Sequence, residues 1–292
     1  MPSTVMTPNA VPPLAVIVPS TDDPLLIESV RALLRCNHSI RAEIIVVLNG
    51  SSRQYSQATV AAFHSAEDVT VLELPRRGIA VARNAGVRHA RAPKLLMFDS
   101  DCQPAASDYL TTISIALDSA SIVVGPVEFL SENAALISRA YAALRNEDYR
   151  LHHLARLYSP NIGFTRSTFE GVGGYHEGLV SGEDSEMGFR LLAAGHTPTP
   201  VVRALIHHRQ RVTLGRAAAI WFGYGRAKGF QVRRGPIYAQ TILNDIKYVL
   251  SPLGKYHHRI DRLPSTLLLR PILAVAFQVG CVVGLLTARA DC

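Results

Sequence analysis

Hydrophobic residues in the first third of this chain come in short unbroken runs. Leu14-Ala15-Val16-Ile17-Val18 is stopped by Pro19-Ser20-Thr21-Asp22-Asp23-Pro24, and Ile44-Ile45-Val46-Val47-Leu48 by Asn49-Gly50-Ser51-Ser52. Leu95-Leu96-Met97-Phe98 is stopped by Asp99-Ser100-Asp101. Runs of this length, closed by turn formers, predict strands buried on both faces. Residues 69–74 and 121–125 predict two more strands, 161–165 a return to the sheet, and 201–206 a strand leading into His207-His208-Arg209. Between the first two runs the apolar positions shift to helical spacing: Leu25, Leu26, Ile27, Val30, Leu33 and Leu34, with Asp22 or Asp23 as cap and Pro24 near the first turn. A helix over about 79–90 follows the third strand. Strands alternating with helices predict βαβ units in an α/β fold with a mostly parallel sheet.

Further along, 131–158 reads as helix, and Gly171, Gly173 and Gly174 mark a loop before Glu183-Asp184 opens another helix. Residues 214–229 form a basic amphipathic helix with Trp221, Phe222 and Tyr224, and 236–250 predicts one more. The stretch 271–288 is nearly all apolar between Arg270 and Arg289, at the length threshold for crossing a bilayer. Residues 1–13 hold four prolines and no apolar core, and read as a disordered leader.

Charge changes this picture in one respect. The net charge is +7, and the basic residues concentrate after Arg203. No aromatic-interleaved recognition motif accompanies them, so no nucleic-acid partner is expected. A nucleotide-sugar or an anionic membrane surface fits better. The four cysteines include no CxxC pair, which argues against a disulfide framework or a zinc site and for a reducing, cytoplasmic compartment.

The candidate chemistry starts at Asp99-Ser100-Asp101. Residues two apart on an extended backbone point to the same side. Both carboxylates would then project from a strand's carboxyl end, where open α/β sheets bind ligands. Two acids side by side call for a counter-charge, and a divalent Mg²⁺ or Mn²⁺ carrying a diphosphate would provide it. A bare Asp-x-Asp is also an ordinary polar turn; its company decides. That company is the Pro19-Ser20-Thr21-Asp22 turn, Gly78-Ile79-Ala80-Val81-Ala82-Arg83-Asn84-Ala85-Gly86, Gly171-Val172-Gly173-Gly174-Tyr175, and Gly182-Glu183-Asp184-Ser185-Glu186.

In this order the four features resemble the inverting glycosyltransferases of family 2, over roughly residues 14–230. The resemblance implies a GT-A catalytic domain over 14–210, with 14–125 nucleotide-binding and 126–210 on the acceptor side. A helical region at 211–292 would follow, with a membrane-associated helix at 271–288. It implies transfer of a sugar from a UDP-, GDP- or dTDP-linked donor to a glycan, lipid-linked or small-molecule hydroxyl, at the inner face of the membrane. Asp101 becomes the metal ligand, with Asp99 on the ribose or a metal water, and His207 or His208 completing the site. Pro19, Ser20, Asp22, Asn49, Arg83, Ser100, Gly173 and Gly174 become donor contacts, with Arg76 and Arg77 as weaker candidates beside Arg83. Asp184 becomes the base that takes the acceptor proton, with Glu183 its neighbour and Glu186 a lesser candidate. Acids in a first helical turn are equally suited to the helix dipole.

Two departures from the family pattern stand out. Leu48 occupies the position where relatives carry an Asp that recognises the base. No Gln-x-x-Arg-Trp follows Glu183-Asp184, which argues against a processive synthase. Among rivals, a sugar nucleotidyltransferase would want a Gly-rich phosphate loop after the first strand, and 19–24 holds neither Gly nor Lys. A non-catalytic sugar- or lipid-binding module of the same fold would be expected to lose Asp101 or Asp184.

Overall fold

The structure is a computed structural model that describes residues 11–75, 78–179, 181–232 and 264–287. Most of the leader, Arg76, Arg77 and the expected helix at 236–250 lie outside the described residues. The chain divides into two compact units. One comprises the residues through Glu128, Tyr149–Gly178 and Glu183–His208; the other comprises Phe129–Asp148, Leu179–Gly182 and the chain from Arg209 on.

The first unit is built on a seven-stranded sheet of order β3-β2-β1-β4-β8-β6-β9. The strands are β1 (Ala15–Ser20), β2 (Glu43–Asn49), β3 (Val69–Leu74), β4 (Lys94–Met97), β6 (Ile122–Val124), β8 (Ile162–Thr165) and β9 (Thr199–Pro200). β3, β2, β1 and β4 run parallel, β8 is antiparallel to both β4 and β6, and β6 and β9 are parallel. The unbroken apolar runs take the centre: every residue of β1 is buried, and all of β2 after Glu43. Pro19 is tolerated in this central strand because of its register. Phe98 N–H donates to Ile17 O, so Ile17 and Pro19 turn their backbone groups toward β4. β4 pairs with β1 only as far as Ile17–Met97, so Pro19 lies past the end of that ladder, a position open to proline.

Helices α1 (Leu26–Arg35), α2 (Arg53–Phe63), α3 (Ile79–His89), α4 (Tyr109–Ser119), α6 (Arg166–Gly171) and α7 (Glu183–Ala193) complete this unit. α3 lies close to the sheet because Gly86 has no side chain. A Cβ there would meet Ile17 Cγ2 at 2.5 Å and Val47 Cγ2 at 3.2 Å. Arg83, one turn earlier, is thereby held at the carboxyl ends of the central strands. Ser52 caps α2 by accepting from Tyr55 N–H, and this first turn aims Tyr55 back at the β1 turn.

The expected strand at 201–206 is not formed. Ala204 N–H closes a turn on Val201 O, and Val202 is exposed. The strand instead starts five residues later, as β10 (Ile206–Gln210), and contains the histidine pair. β10 runs antiparallel to β5 (Cys102–Pro104), with His208 opposite Cys102 and His207 opposite Gln103.

In the second unit, Ala140, Tyr141 and Leu144 of α5 (Leu136–Arg156) pack with Val212, Ala217, Leu269 and Leu273. The helices involved are α8 (Leu214–Val232) and α9 (Pro264–Thr287). Within this unit Glu132, in the loop after β7 (Val127–Ser131), pairs with Arg209 Nη2 at 3.0 Å, and Glu147 with Arg270 at 2.7 Å.

Candidate active site

The carboxyl ends of β1, β2 and β4 carry a tied set of polar turns. Asp22 takes the left-handed conformation at φ +51°. Its carboxylate accepts from Ser52 N–H at 2.9 Å and from Ser52 Oγ, which joins the β1 turn to the β2 turn. Thr21 Oγ1 donates to Asn49 O, and Asn49 itself is buried at the end of β2. Tyr55 donates its hydroxyl to Asp23 O at 2.6 Å, so Ser20 Oγ, 3.0 Å away, is the donor to Tyr55. Burial pushes the Tyr55 phenol up to about 12, which keeps it a hydrogen-bond donor. Asp23 accepts from Leu25 N–H and, at 2.6 Å, from Ser100 Oγ. It thus fixes the middle of the Asp99-Ser100-Asp101 turn. Asp23, and not Asp22, serves the start of α1.

The two candidate acids do not share an extended strand. β4 ends at Met97, and the chain turns so that Cys102 N–H donates to Asp99 O. The alternation that would have placed Asp99 and Asp101 side by side stops before it reaches them, and each faces its own partner.

Asp99 Oδ1 accepts from Arg83 Nη2 at 2.9 Å. The other terminal nitrogen, Nη1, donates to Glu183 Oε1 in a short buried contact. Arg83 is 2% exposed and its guanidinium lies over the Tyr175 ring, 5.4 Å from the centroid. Burial works against its charge, but Asp99 and Glu183 outweigh it and raise its affinity for the proton further. Both terminal nitrogens are therefore engaged by carboxylates, and Nε is buried with no hydrogen-bond partner. Arg83 ties the β4 turn to the first residue of α7 and does not present a free fork to a ligand.

Asp101 Oδ1 lies 3.4 Å from His208 Nε2. His207, one residue earlier on β10, points the other way and pairs with Glu128 at 3.3 Å. The structure brings His208 to the acidic turn and leaves His207 outside it. Burial, then Asp99, then Asp23 push the Asp101 carboxyl well above the usual carboxylate range. Cys102, a residue the sequence did not flag, completes the group: one ligating atom each from Asp101, Cys102 and His208 lie within 4.8 Å of one another. Burial and the nearby Asp101 and Asp99 push the thiol well up, and its Sγ lies 3.9 Å from Asp101 Oδ1. The carboxylate oxygen of Asp101 and the imidazole nitrogen of His208 fit a divalent cation of the Mg²⁺ or Mn²⁺ type. Of the two, Mn²⁺ accepts imidazole more readily.

The third part of the site is the loop before α7. Gly173 (φ +80°) and Gly174 (φ +68°) both need the left-handed region. They differ in surroundings. A Cβ on Gly173 would meet nothing within 4 Å, whereas one on Gly174 would touch Asn84 Oδ1 and Phe169 Cε1 at 3.0 Å. Gly174 is thus a packing glycine, whereas Gly173 leaves open space. Asn84 bonds both sides of Tyr175, donating to its O at 2.8 Å and accepting from its N–H at 3.0 Å. Arg190 binds Glu186 and donates to Val172 O and Gly174 O. Glu186, the third acid of the α7 start, is therefore a brace for the loop.

Glu183 and Asp184 end up with different tasks. Glu183 is buried and bound to Arg83, and burial pushes it up to about 7 even though Arg83 pulls the other way. Asp184 is half-buried, accepts from Ser185 N–H at 2.7 Å, and is also raised, first by burial.

The chain matches the family model described as "Glycosyl transferase family 2" over residues 15–172, just over half of its length. A comparison with curated proteins finds no match. Among solved structures the fold is similar to that of the mannosyltransferase PcManGT from Pyrobaculum calidifontis in complex with GDP-Man and Mn²⁺. The TM-score is 0.65 at 19% identity, covering 95% of this chain and 88% of that one. It is similar also to GalNAc-T7 with UDP, GalNAc and Mn²⁺ (TM-score 0.58, 16% identity, 75% of this chain and 48% of that one). A third similar fold is that of S. aureus TarS 1-349 in complex with UDP (TM-score 0.53, 15% identity, 74% and 65%). The sheet order, the acidic turn after β4 and the extent of the family match converge: the chain belongs to glycosyl transferase family 2.

Proposed function

We propose that this protein is a metal-dependent, inverting glycosyltransferase that moves a hexosyl group from a nucleotide-diphospho-sugar to a hydroxyl acceptor by a single displacement. The observation that carries the reading is the convergence at the sheet's carboxyl edge of Asp101 with His208, and of Asp99 with Arg83 and Glu183. The Mn²⁺, GDP-Man and UDP of the similar structures support a nucleotide-sugar donor here. We take residues 14–210 as the catalytic domain and 211–292 as a helical region that meets a membrane surface.

In this reading Asp101 and His208 hold the divalent ion, which would act as a Lewis acid on the leaving diphosphate. Arg83 is a positioning residue. It neutralises Asp99 and Glu183 and keeps the β4 turn and the start of α7 in one geometry. That leaves Asp184 to take the proton from the attacking hydroxyl. Its raised proton affinity makes it a better base near neutral pH than an ordinary aspartate. Glu183 is unsuited to the task because its carboxylate is already bound. One base and one displacement give inversion at the anomeric carbon. Gly173, open on its Cβ side, is the point where backbone can approach the donor sugar. Asn49, Ser20 and the Asp22–Ser52 link shape the end of the sheet that faces the nucleotide.

The test is a thermal-shift panel of UDP-, GDP- and dTDP-sugars with and without Mn²⁺. Stabilisation by one nucleotide class, and only with the metal, is expected. No shift with any of them would favour a non-catalytic module.

A further inference from the structure

We infer that α8 and α9 lie in the plane of an anionic membrane interface, as a monotopic pair, and that α9 does not span the bilayer. The inference rests on the membrane association proposed above and adds its topology. By length and composition α9, over Leu269–Thr287, would pass as a membrane span, and most of that stretch is not buried by protein. What decides against spanning is how α8 packs on it.

The two helices touch backbone to backbone through four glycines. A Cβ on Gly225 would lie 2.0 Å from Phe277 O, and one on Gly229 2.1 Å from Cys281 O. In return, a Cβ on Gly280 would lie 2.2 Å from Phe222 O, and one on Gly284 2.1 Å from Arg226 O. Two Gly-x-x-x-Gly pairs therefore interlock, the close approach that such pairs allow. The partners advance together along both helices, so α8 and α9 are parallel. The end of α8 and the start of α9 therefore lie at opposite ends of the pair, about 35 Å apart.

The connecting residues 233–263 carry six Lys and Arg and two Asp, and their longest uncharged run is the ten residues 235–244. A bilayer crossing needs about 20 apolar residues, and charges at its centre are costly. If α9 spanned, this connection would have to cross the hydrocarbon as well, and exposed Arg226 of α8 would sit beside Gly284 within it. In-plane seating removes both conflicts.

It also accounts for the outward face of α9. Ile272, Val275, Val279, Val282 and Leu286 form an exposed apolar stripe, whereas Leu269, Leu273 and Phe277 are buried in the unit's core. The charge distribution fits the same occupant. Residues 209–292 hold thirteen Lys and Arg against three Asp, net +10, while residues 1–208 hold seventeen against twenty acids, net −3. A basic region presenting an apolar stripe matches an anionic bilayer surface.

The experiment uses the full chain bound to sealed vesicles of phosphatidylcholine with phosphatidylglycerol. Reporter cysteines Ser265→Cys and Thr287→Cys, one at each end of α9, are placed singly in a Cys281→Ala, Cys292→Ala background and labelled with a membrane-impermeant maleimide from outside. The in-plane pair predicts that both react from the side to which protein was added. Reaction of only one end until the vesicles are lysed would overturn the inference and leave membrane association standing. Failure to sediment with vesicles at all would overturn both. A folded Val275→Glu/Val279→Glu variant should lose vesicle binding by at least about ten-fold. Undiminished binding would remove the stripe from the account.

Discussion

The guanidinium of Arg83 is bound to the carboxylate of Glu183, a residue 100 positions further along the chain, and on its other side to Asp99. The two halves of the candidate site thus share one buried cation. Removing it strands two carboxylates, one of them almost fully buried. Arg83→Ala is expected to cost about 3–5 kcal/mol in urea unfolding. Adding Glu183→Gln should recover part of that loss, because one stranded charge is then gone. A loss below about 1 kcal/mol would show that the clamp does not hold the site together.

Glu183 also predicts a pH dependence of stability. Its proton affinity is raised by burial to about 7 in the folded protein, from 4.5. The folded state then binds the proton more tightly than the unfolded one, so this contribution is fully present below about pH 4.5 and is lost as pH rises toward 7. Melting temperature measured across this window should fall with rising pH more steeply in the parent than in Glu183→Gln. Equal slopes would mean that Glu183 titrates as an exposed carboxylate.

Asp184 is expected to govern the rate. Asp184→Asn should lower nucleoside-diphosphate release by about 10²–10⁴-fold while donor affinity stays near the parent's. A base must be deprotonated, so the parent rate should fall with decreasing pH through a value above the ordinary aspartate range, following the raised proton affinity of Asp184. The variant should lack that acid limb. Release at the parent rate would assign the proton transfer elsewhere.

The strands that carry the site were legible in the sequence because they are buried on both faces. The runs at Leu14, Ile44 and Leu95 needed only composition and turn residues to be seen, and β1, β2 and β4 follow them closely. Asp99, Asp101, Glu183 and Asp184 were legible as an ordered set. Their geometry was not. The extended strand ends before Asp99, so spacing alone misplaced the two acids. The division of labour between His207 and His208 depends on which face of β10 meets β5, a pairing across more than a hundred residues. Cys102 enters the group through the same pairing. Asn84 and Arg190 act on backbone groups of the glycine loop, and a polar side chain that braces a distant backbone leaves no periodic trace in the sequence.

Whether Asp101 and His208 form the metal-diphosphate site is read by calorimetric titration with the nucleoside diphosphate picked out by the donor panel. The expected result is saturable binding that requires Mn²⁺, is abolished in Asp101→Ala, is weakened about ten-fold or more in His208→Ala, and is unchanged in His207→Ala. Binding that needs no metal, or that survives intact in Asp101→Ala, would contradict it.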